Sequence, residues 1–418
     1  MNIYLIIIIA ALLVDFFLQN LARYLNNKAL VAPLPQEFKD ICDEDEYLKS
    51  KEYTKTKNRY ALFVSTFNLL LILGFILLGG FNYLDLFARH FQFSTVITGI
   101  IFFGTLYIIY DLISLPLSLY YTFVIEERFN FNRTTAKTFI LDKIKSYIIL
   151  AILGSAIMGL LFYLFEKFQY HAWFYCWIVV SAFILLAQPL FNLVIAPLFN
   201  KFSPLNDGDL KDGIESYSRK VNFPLKEISV MDGSKRSAHS NAYFSGLFKK
   251  RIALFDTLIE KHSTSELISI IGHEVGHYKK KHITKGIFIS IIHTGVLFYI
   301  LSFFIKNQSL FEAFKMEHTS IYASFLFFSL LYSPVELILS LLTNYISRKH
   351  EYEADEFAAK TTGSAEPMII ALKKLAVSNL SNLTPHPFAV FLNYSHPPVL
   401  DRIHRLQVIA PAKQNDRL

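Results

Sequence analysis

Two histidines with a glutamate between them are the residues of this chain best suited to chemistry. His273 and His277 are four residues apart, so they share one face of a helix and both imidazoles can reach a single Zn²⁺ ion. Glu274 lies one residue round the helix, where its carboxylate can take the proton of a water molecule that the ion activates. This HExxH spacing predicts a zinc hydrolase, and among hydrolases a metalloprotease.

The alternative is a histidine pair on a solvated helix face. Gly276 stands inside the same predicted helix, where glycine costs about 1 kcal/mol of helix propensity relative to alanine. A glycine is useful at such a position when another backbone must approach closely. Its presence therefore favours the metal site.

A catalytic zinc site keeps three protein ligands and one open position, so a third ligand is needed. The candidates are His282, His350, Glu351 and Glu353. His282 points to a different helix face from the histidine pair and stands among lysines. That setting favours a solvated or structural role for His282.

A polar stripe on a second predicted helix singles out Glu351. Its members recur at helical spacing and are Asn344, Ser347, Arg348, Glu351 and Asp355. The stripe predicts Glu351 as the third ligand and Asp355 as the acceptor of the second N–H of a ligating histidine. Asn344 and Arg348 are predicted to support the site. Substitution of Glu351, but not of His350 or Glu353, should then lower the zinc content. From the pattern alone, a solvated stripe of charge remains open.

Several local signals predict the elements that position these residues. Ser263, with Glu266 three residues later, predicts the start of the helix that carries both histidines. Segments before it alternate like strands or are rich in β-forming residues, and they lie at 225–231, 241–248 and 251–255, the last two as a hairpin. The helix that bears Glu351 should continue out of an apolar segment and end near Gly363.

Hydrophobic residues make up 53% of the 418 residues and collect in blocks long enough to cross a bilayer, which needs about 20 residues of helix. Seven such blocks lie at 3–22, 60–84, 95–124, 146–166, 173–198, 286–305 and 320–346. We therefore predict a mainly α, polytopic membrane protein with a cytoplasmic α+β zinc metalloprotease domain. Its predicted parts are spans 1–5 in 1–198, a metalloprotease segment in 199–285, spans 6–7 in 286–346, and a tail in 347–418 that completes the zinc site.

Basic residues give the chain a net charge of +7. Segments outside the predicted spans alternate between many and few Lys and Arg, which by the positive-inside rule puts the N-terminus outside or in a lumen and the C-terminus in the cytoplasm. This distribution argues against a nucleic-acid partner, although basic residues could simply solubilise the larger loops. Only two cysteines occur, Cys42 and Cys176, so no disulfide framework or cysteine metal site follows.

Several motifs together resemble one known family, the integral-membrane zinc CAAX prenyl endopeptidases, which are gluzincin-like. HEVGH is followed, 74 residues after His277, by Glu351 within the pattern N-x-x-S-R-x-x-E-x-x-A-D. Further matching segments lie at 125–133, 195–205, 240–246, 250–258 and 394–398, so the resemblance covers essentially the whole chain. Asn130 stands where the family often has glycine, and asparagine also tolerates a left-handed turn.

The resemblance implies a barrel of about seven transmembrane helices around a large hydrated chamber, closed by the zinc domain. Family members remove the AAX tripeptide from isoprenylated CAAX proteins, so prenylated or other membrane-associated peptides are the expected substrates. Polar residues within the apolar blocks also favour a polar interior, and these are Asp15, Asp111, Gln188, His293 and Glu336.

Carried over residue by residue, the resemblance implies one Zn²⁺ on His273, His277 and Glu351, with Glu274 as base. Asn241, Ala242 and Tyr243 would lie on the strand that binds the substrate backbone. His396 would support the oxyanion. The bilayer and a peptide substrate are the expected partners, with no nucleic acid and no obligatory protein partner.

Two other functions remain as alternatives. One is a membrane quality-control protease of the related, shorter heat-shock type, which has about half the spans. The other is a zinc-dependent transporter, or a scaffold with an inactive protease site. The chain shows no internal repeat of the kind common in transporters, and its Glu274 is intact. A bacterial inner membrane and the endoplasmic reticulum both remain open as locations.

Overall fold

The computed structural model describes residues 2–240, 242–245 and 250–409, with only the backbone described for 242–245. Helices dominate these residues. They are α1 Ile3–Ala29, α2 Glu44–Leu77, α3 Gly80–His90, α4 Thr95–Tyr120, α5 Ala136–Ile149, α6 Ser155–Phe168, α7 Ala172–Leu190, α8 Ala196–Phe199, α9 Asp209–Lys220, α10 Asp256–Lys261, α11 Thr264–Lys279, α12 His282–Ser302, α13 Gln308–Ala313, α14 Ile321–Thr362, α15 Glu366–Ser378, α16 Pro387–Asn393 and α17 Val399–Ile409. The strands are β1 Phe202–Pro204, β2 Leu225–Met231, β3 Ala242–Ser245 and β4 Lys250–Phe255.

Six helical stretches among the described residues are long and apolar enough to cross a membrane, which confirms a polytopic, mainly helical membrane protein. They are Ile3–Ala29, Glu44–Leu77, Thr95–Glu126, Ala136–Phe199, His282–Ser302 and Ile321–Thr362. The fourth covers 64 residues, far more than the roughly 20 that one crossing needs. It is interrupted at Gln169, whose φ is 45°, between the predicted spans 146–166 and 173–198. The count of seven spans and the barrel stay predictions.

Aromatic side chains hold the first half of α14 among the other apolar helices. Phe327 of α14 stacks on Phe314, with ring centroids 3.8 Å apart. Tyr322, five residues earlier, packs closely against α4: a Cβ on Gly99 would be 2.8 Å from its side chain. This buried cluster fixes the helix whose other end carries Glu351.

Three of the five polar residues predicted inside the spans make contacts between helices. Asp111 of α4 pairs with Lys143 of α5. His293 of α12 lies 3.3 Å from the Glu336 carboxylate of α14. Such pairing reduces the cost of placing ionisable groups among apolar helices.

A four-stranded sheet with the order β1-β2-β4-β3 forms the β part of the zinc domain. β2 and β4 are parallel, and β3 pairs antiparallel with β4 from Ala242 opposite Leu254 to Ser245 opposite Arg251. Ile252 and Leu254 are buried beneath α11 in the same apolar cluster. The predicted strand at 225–231 and the predicted hairpin pairing are confirmed, and β3 is the last strand at its side of the described sheet.

Helix α14 is 42 residues long, so one continuous element links the apolar helices to the zinc domain. It ends at Gly363, whose φ of 97° is the left-handed conformation typical of a helix C-terminus, as the sequence predicted. The division into 1–198, 199–285, 286–346 and 347–418 stays a prediction.

Candidate metal centre

Helix α11 begins where the sequence predicted. The Ser263 hydroxyl accepts a hydrogen bond from the Glu266 backbone N–H at 3.4 Å. The Glu266 carboxylate does not complete the reciprocal bond of a capping box. Its Oε2 lies 2.9 Å from His262 Nδ1, and the Lys374 ammonium of α15 donates to its Oε1 at 2.8 Å, so the start of α11 is tied to α15.

Helices α11 and α14 cross at Gly276. A Cβ at this position would lie 3.0 Å from the Ala354 Cα and 3.1 Å from the Ala354 carbonyl oxygen. Contacts this short leave no room for a side chain, and they are the close backbone approach that glycine at this position predicted. The crossing brings the histidine pair of α11 against Glu351 of α14.

The three predicted ligands come together at the crossing. His273 Nε2 and His277 Nε2 are 3.0 Å apart. Glu351 places Oε2 at 3.5 Å from His273 Nε2 and Oε1 at 3.3 Å from His277 Nε2. One ligand atom from each residue lies within 4.8 Å of the others. His350, the neighbour of Glu351, instead stacks on His282.

The donor set fits a zinc ion. Two imidazole nitrogens and a carboxylate oxygen are the ligands of many catalytic zinc sites. Glu351 Oε2 is a buried oxygen that accepts no hydrogen bond from the described residues, which is costly unless a cation satisfies it. A cation would also satisfy the lone pairs of His273 Nε2 and His277 Nε2, which face each other.

Asp355 and Arg402 hold His273. His273 Nδ1 lies 2.8 Å from Asp355 Oδ1, so the N–H at Nδ1 donates to the carboxylate and Nε2 keeps its lone pair for a metal. Arg402 donates to both Asp355 oxygens, at 2.6 and 2.8 Å. Burial opposes a charge on His273, but the hydrogen bond that it donates to Asp355 and the nearby Glu351 outweigh this effect and raise the pKa of His273 to about 9. This negative surrounding also favours a bound cation.

Glu274 has the environment of a general base. Burial raises the pKa of its carboxyl group, while the adjacent His273 and His277 oppose that rise. A carboxylate with a raised pKa is a stronger proton acceptor, which suits it to take a proton from water.

His396 stands at the exposed side of the site. Its Nε2 is 3.4 Å from Glu351 Oε1, and its side chain is 65% exposed. The two stripe residues Asn344 and Arg348 bond to the main chain just before it. Asn344 donates to the Leu392 carbonyl at 3.2 Å, and Arg348 donates to the Tyr394 carbonyl at 2.6 Å. They therefore position the segment that carries His396, and their support of the ligands stays a prediction.

The predicted substrate strand is only partly described. Asn241 lies outside the described residues. Ala242 and Tyr243 belong to β3, which pairs with β4 on one side and packs against α11. Its position at the sheet edge suits pairing with an extended peptide.

The environment of His282 differs from the prediction, and Arg402 is a residue of the site that was not predicted. His282 is not solvated: it is 5% exposed, and its Nδ1 lies 3.0 Å from His277 Nδ1. Helical periodicity placed His282 on another face of the histidine helix, but α11 ends at Lys279 and Lys281 has a left-handed φ of 58°, so His282 does not continue that helix. Arg402 was not predicted, since it comes from α17 and belongs to no motif with the ligands.

Comparison with known proteins places the chain in a family. The model of the CAAX prenyl protease N-terminal domain, with five membrane helices, matches residues 23–201, and the model of peptidase family M48 matches residues 204–410. CAAX prenyl protease 1 of Saccharomyces cerevisiae is 35% identical over 91% of this chain and 90% of that protein. The homolog from Dictyostelium discoideum is 33% identical over 96% of each.

A solved structure agrees with these matches. The crystal structure of S. mikatae Ste24p superposes with a TM-score of 0.91 at 35% identity, covering 97% of this chain and 99% of that one. Similarity along the full length decides against the transporter and the shorter heat-shock protease. This chain belongs to peptidase family M48, in its group of membrane-embedded CAAX prenyl metalloproteases.

Proposed function

We propose that this protein is a zinc endopeptidase that removes the AAX tripeptide from isoprenylated CAAX proteins or acts on related membrane-associated peptides. The observation that carries the proposal is the cluster of His273, His277 and Glu351, in which Glu351 lies on α14, a helix that continues into the apolar part of the molecule. A catalytic site joined in this way to membrane helices suits a substrate that is anchored by a lipid.

One zinc ion would be held by the three clustered residues. When bound, zinc polarises the scissile carbonyl and lowers the pKa of water. Glu274 takes the proton of the attacking water and returns it to the leaving amine. His396, exposed beside Glu351, donates a hydrogen bond to the carbonyl oxygen as negative charge develops on it.

Substrate is held as an added strand. Ala242 and Tyr243 lie on the edge strand β3, and Asn241 precedes them in the sequence. Main-chain hydrogen bonds to β3 would align an extended peptide irrespective of its side chains. A prenyl group in the bilayer would raise the effective concentration of the peptide at the site.

The membrane arrangement follows from the charge distribution. We place the N-terminus in the lumen and the C-terminus in the cytoplasm, with seven spans around a hydrated chamber, in the endoplasmic reticulum. Support comes from the alternation of basic loops, from the polar pairs between helices, and from relatives in yeast and Dictyostelium.

The decisive experiment offers the purified protein a farnesylated CAAX peptide and the same peptide without the prenyl group. Cleavage should require the farnesyl group, stop on treatment with a zinc chelator, and return when zinc is restored. Glu274→Gln, which keeps the ligands, is the matched control for a contaminating protease. Cleavage that survives both chelation and Glu274→Gln would exclude this site as its source.

A further inference from the structure

A second chain of hydrogen bonds leads away from the metal centre, from His277 rather than from His273. His277 Nδ1 lies 3.0 Å from His282 Nδ1. His282 Nε2 in turn lies 3.0 Å from Glu353 Oε2. The His282 side chain is only 4% exposed and that of Glu353 is 29% exposed, so the chain runs from the buried site to its surface.

Only one arrangement of protons satisfies this chain together with a metal. His277 must keep the Nε2 lone pair for the metal, so its single N–H is at Nδ1. That N–H needs an acceptor, which makes His282 Nδ1 the unprotonated nitrogen. The N–H of His282 is then at Nε2 and donates to Glu353, a carboxylate that can only accept.

The opposite tautomer of His282 fails at both ends. An N–H at His282 Nδ1 would face the N–H of His277 or force the His277 proton onto Nε2, where it would remove the metal ligand. The lone pair of His282 Nε2 would then face the Glu353 carboxylate. Glu353 therefore selects the tautomer of His282, and His282 selects that of His277.

We infer that His282 and Glu353 are positioning residues that hold His277 in the tautomer and ring orientation required for zinc. They act on His277 as Asp355 and Arg402 act on His273. This inference rests on the proposed zinc function, and it revises the expectation that Glu353 has no part in zinc binding.

Local geometry explains why these two residues can reach His277. The left-handed φ of 58° at Lys281 reverses the chain after α11, and α12 starts at His282. The His350 ring stacks on the His282 ring with centroids 3.9 Å apart and an interplanar angle of 9°. This is a packing contact, which an apolar side chain such as leucine can replace, whereas the two hydrogen bonds of His282 need acceptors.

The test measures zinc affinity of the metal-free full-length protein by competition with a chromogenic chelator. His282→Leu and Glu353→Leu each remove an acceptor and should weaken zinc binding by about 10–100-fold, the usual loss for a partner of a ligating histidine. His282→Asn and Glu353→Gln each retain an oxygen acceptor, so they should bind zinc within a few-fold of wild type. His350→Leu is the packing control and should also stay near wild type.

Zinc affinity that is lost in the leucine variants and kept in the amide variants would separate a positioning role from structural support, because leucine is similar in size to asparagine and glutamine but has no hydrogen-bond acceptor. The Co²⁺-substituted protein gives a second readout: its visible absorption should change in the leucine variants and return in the amide variants. Equal zinc affinity in all variants would overturn the inference, as would equal losses in the leucine and amide variants.

Melting temperatures of the metal-free proteins identify any variant that fails to fold. If His282→Leu unfolds, the Glu353 pair decides, because Glu353 lies nearer the surface. Zinc affinity is measured without substrate. Failure to cleave a farnesylated peptide, together with the expected affinity pattern, would therefore reject the proposed substrate and leave this inference standing.

Discussion

Gly276→Ala tests whether the helix crossing sets the metal geometry. The added Cβ would lie 3.0 Å from the Ala354 Cα and 3.2 Å from the Phe357 Cβ, whereas carbon atoms prefer about 3.5–4.0 Å. The backbone of α14 cannot rotate away as a side chain could. Helices α11 and α14 must therefore separate by roughly 0.5 Å to reach that preferred distance.

Gly276→Ala should weaken zinc binding more than it lowers the stability of the fold. Overpacking costs about 1–3 kcal/mol, and the gain in helix propensity returns about 1 kcal/mol, so the net loss of stability is about 0–2 kcal/mol. Zinc sites, however, tolerate distance errors of only about 0.2 Å. A shift of Glu351 away from the histidine pair should lower zinc affinity about tenfold or more, which is about 1.4 kcal/mol.

The assay compares zinc affinity, by chelator competition, with the melting temperature of the metal-free protein. Gly286→Ala in α12 is the matched control, because a Cβ there would meet nothing within 4 Å. The control should bind zinc as wild type does. Wild-type zinc affinity in Gly276→Ala would refute the idea that this crossing sets the ligand geometry.

Four other predictions test the separate parts of the site and the membrane arrangement. Glu274→Gln should keep wild-type zinc content and abolish peptide cleavage, because only the proton acceptor is lost; a variant with a tenth of the activity would rule out Glu274 as the base. Asp355→Asn should lower zinc affinity or activity about 10–100-fold, because, unlike the amide in Glu353→Gln, its amide would set an N–H against an Arg402 N–H that now donates to the carboxylate; an unchanged zinc affinity would refute the role of the hydrogen bond between Asp355 and His273. His396→Ala should lower kcat by about 10²–10³ with KM and zinc content little changed, whereas a defect confined to KM would refute oxyanion support. Cysteines introduced near Lys306 and near Lys413, in a chain without the native cysteines, should react from opposite sides of the membrane, and labelling of both from one side would exclude the proposed topology.

Hydropathy correctly predicted the membrane class of the fold, whereas the number of crossings stays a prediction. A bilayer core of fixed thickness demands apolar helices of a minimum length, and the described helices meet that demand. The 64-residue stretch from Ala136 to Phe199 breaks at Gln169, which lies in the gap between the predicted spans 146–166 and 173–198.

The polar stripe on α14 shows what helical periodicity can predict and what it cannot. Glu351 and Asp355 share a helix face and both meet the histidine pair of α11. Asn344 and Arg348 share that face too, yet their hydrogen bonds go to the main chain before His396. Periodicity assigns residues to a face, whereas the neighbour that each one meets along a 42-residue helix depends on what packs there.

The sequence by itself predicted the ligand set, since helical spacing relates His273 to His277, and the polar stripe and the family resemblance single out Glu351. These relations are local, and 3.6 residues per turn is a property of the backbone. The sequence also predicted Asp355 as the partner of a ligating histidine, but only the tertiary structure decided which histidine it meets and brought Arg402 and His282 to the site. Arg402 and Asp355 reach His273 from α17 and α14, and His282 reaches His277 through a left-handed turn. Such partners are brought together by packing between segments far apart in the chain and by a single backbone reversal, and neither leaves a periodic pattern in the sequence.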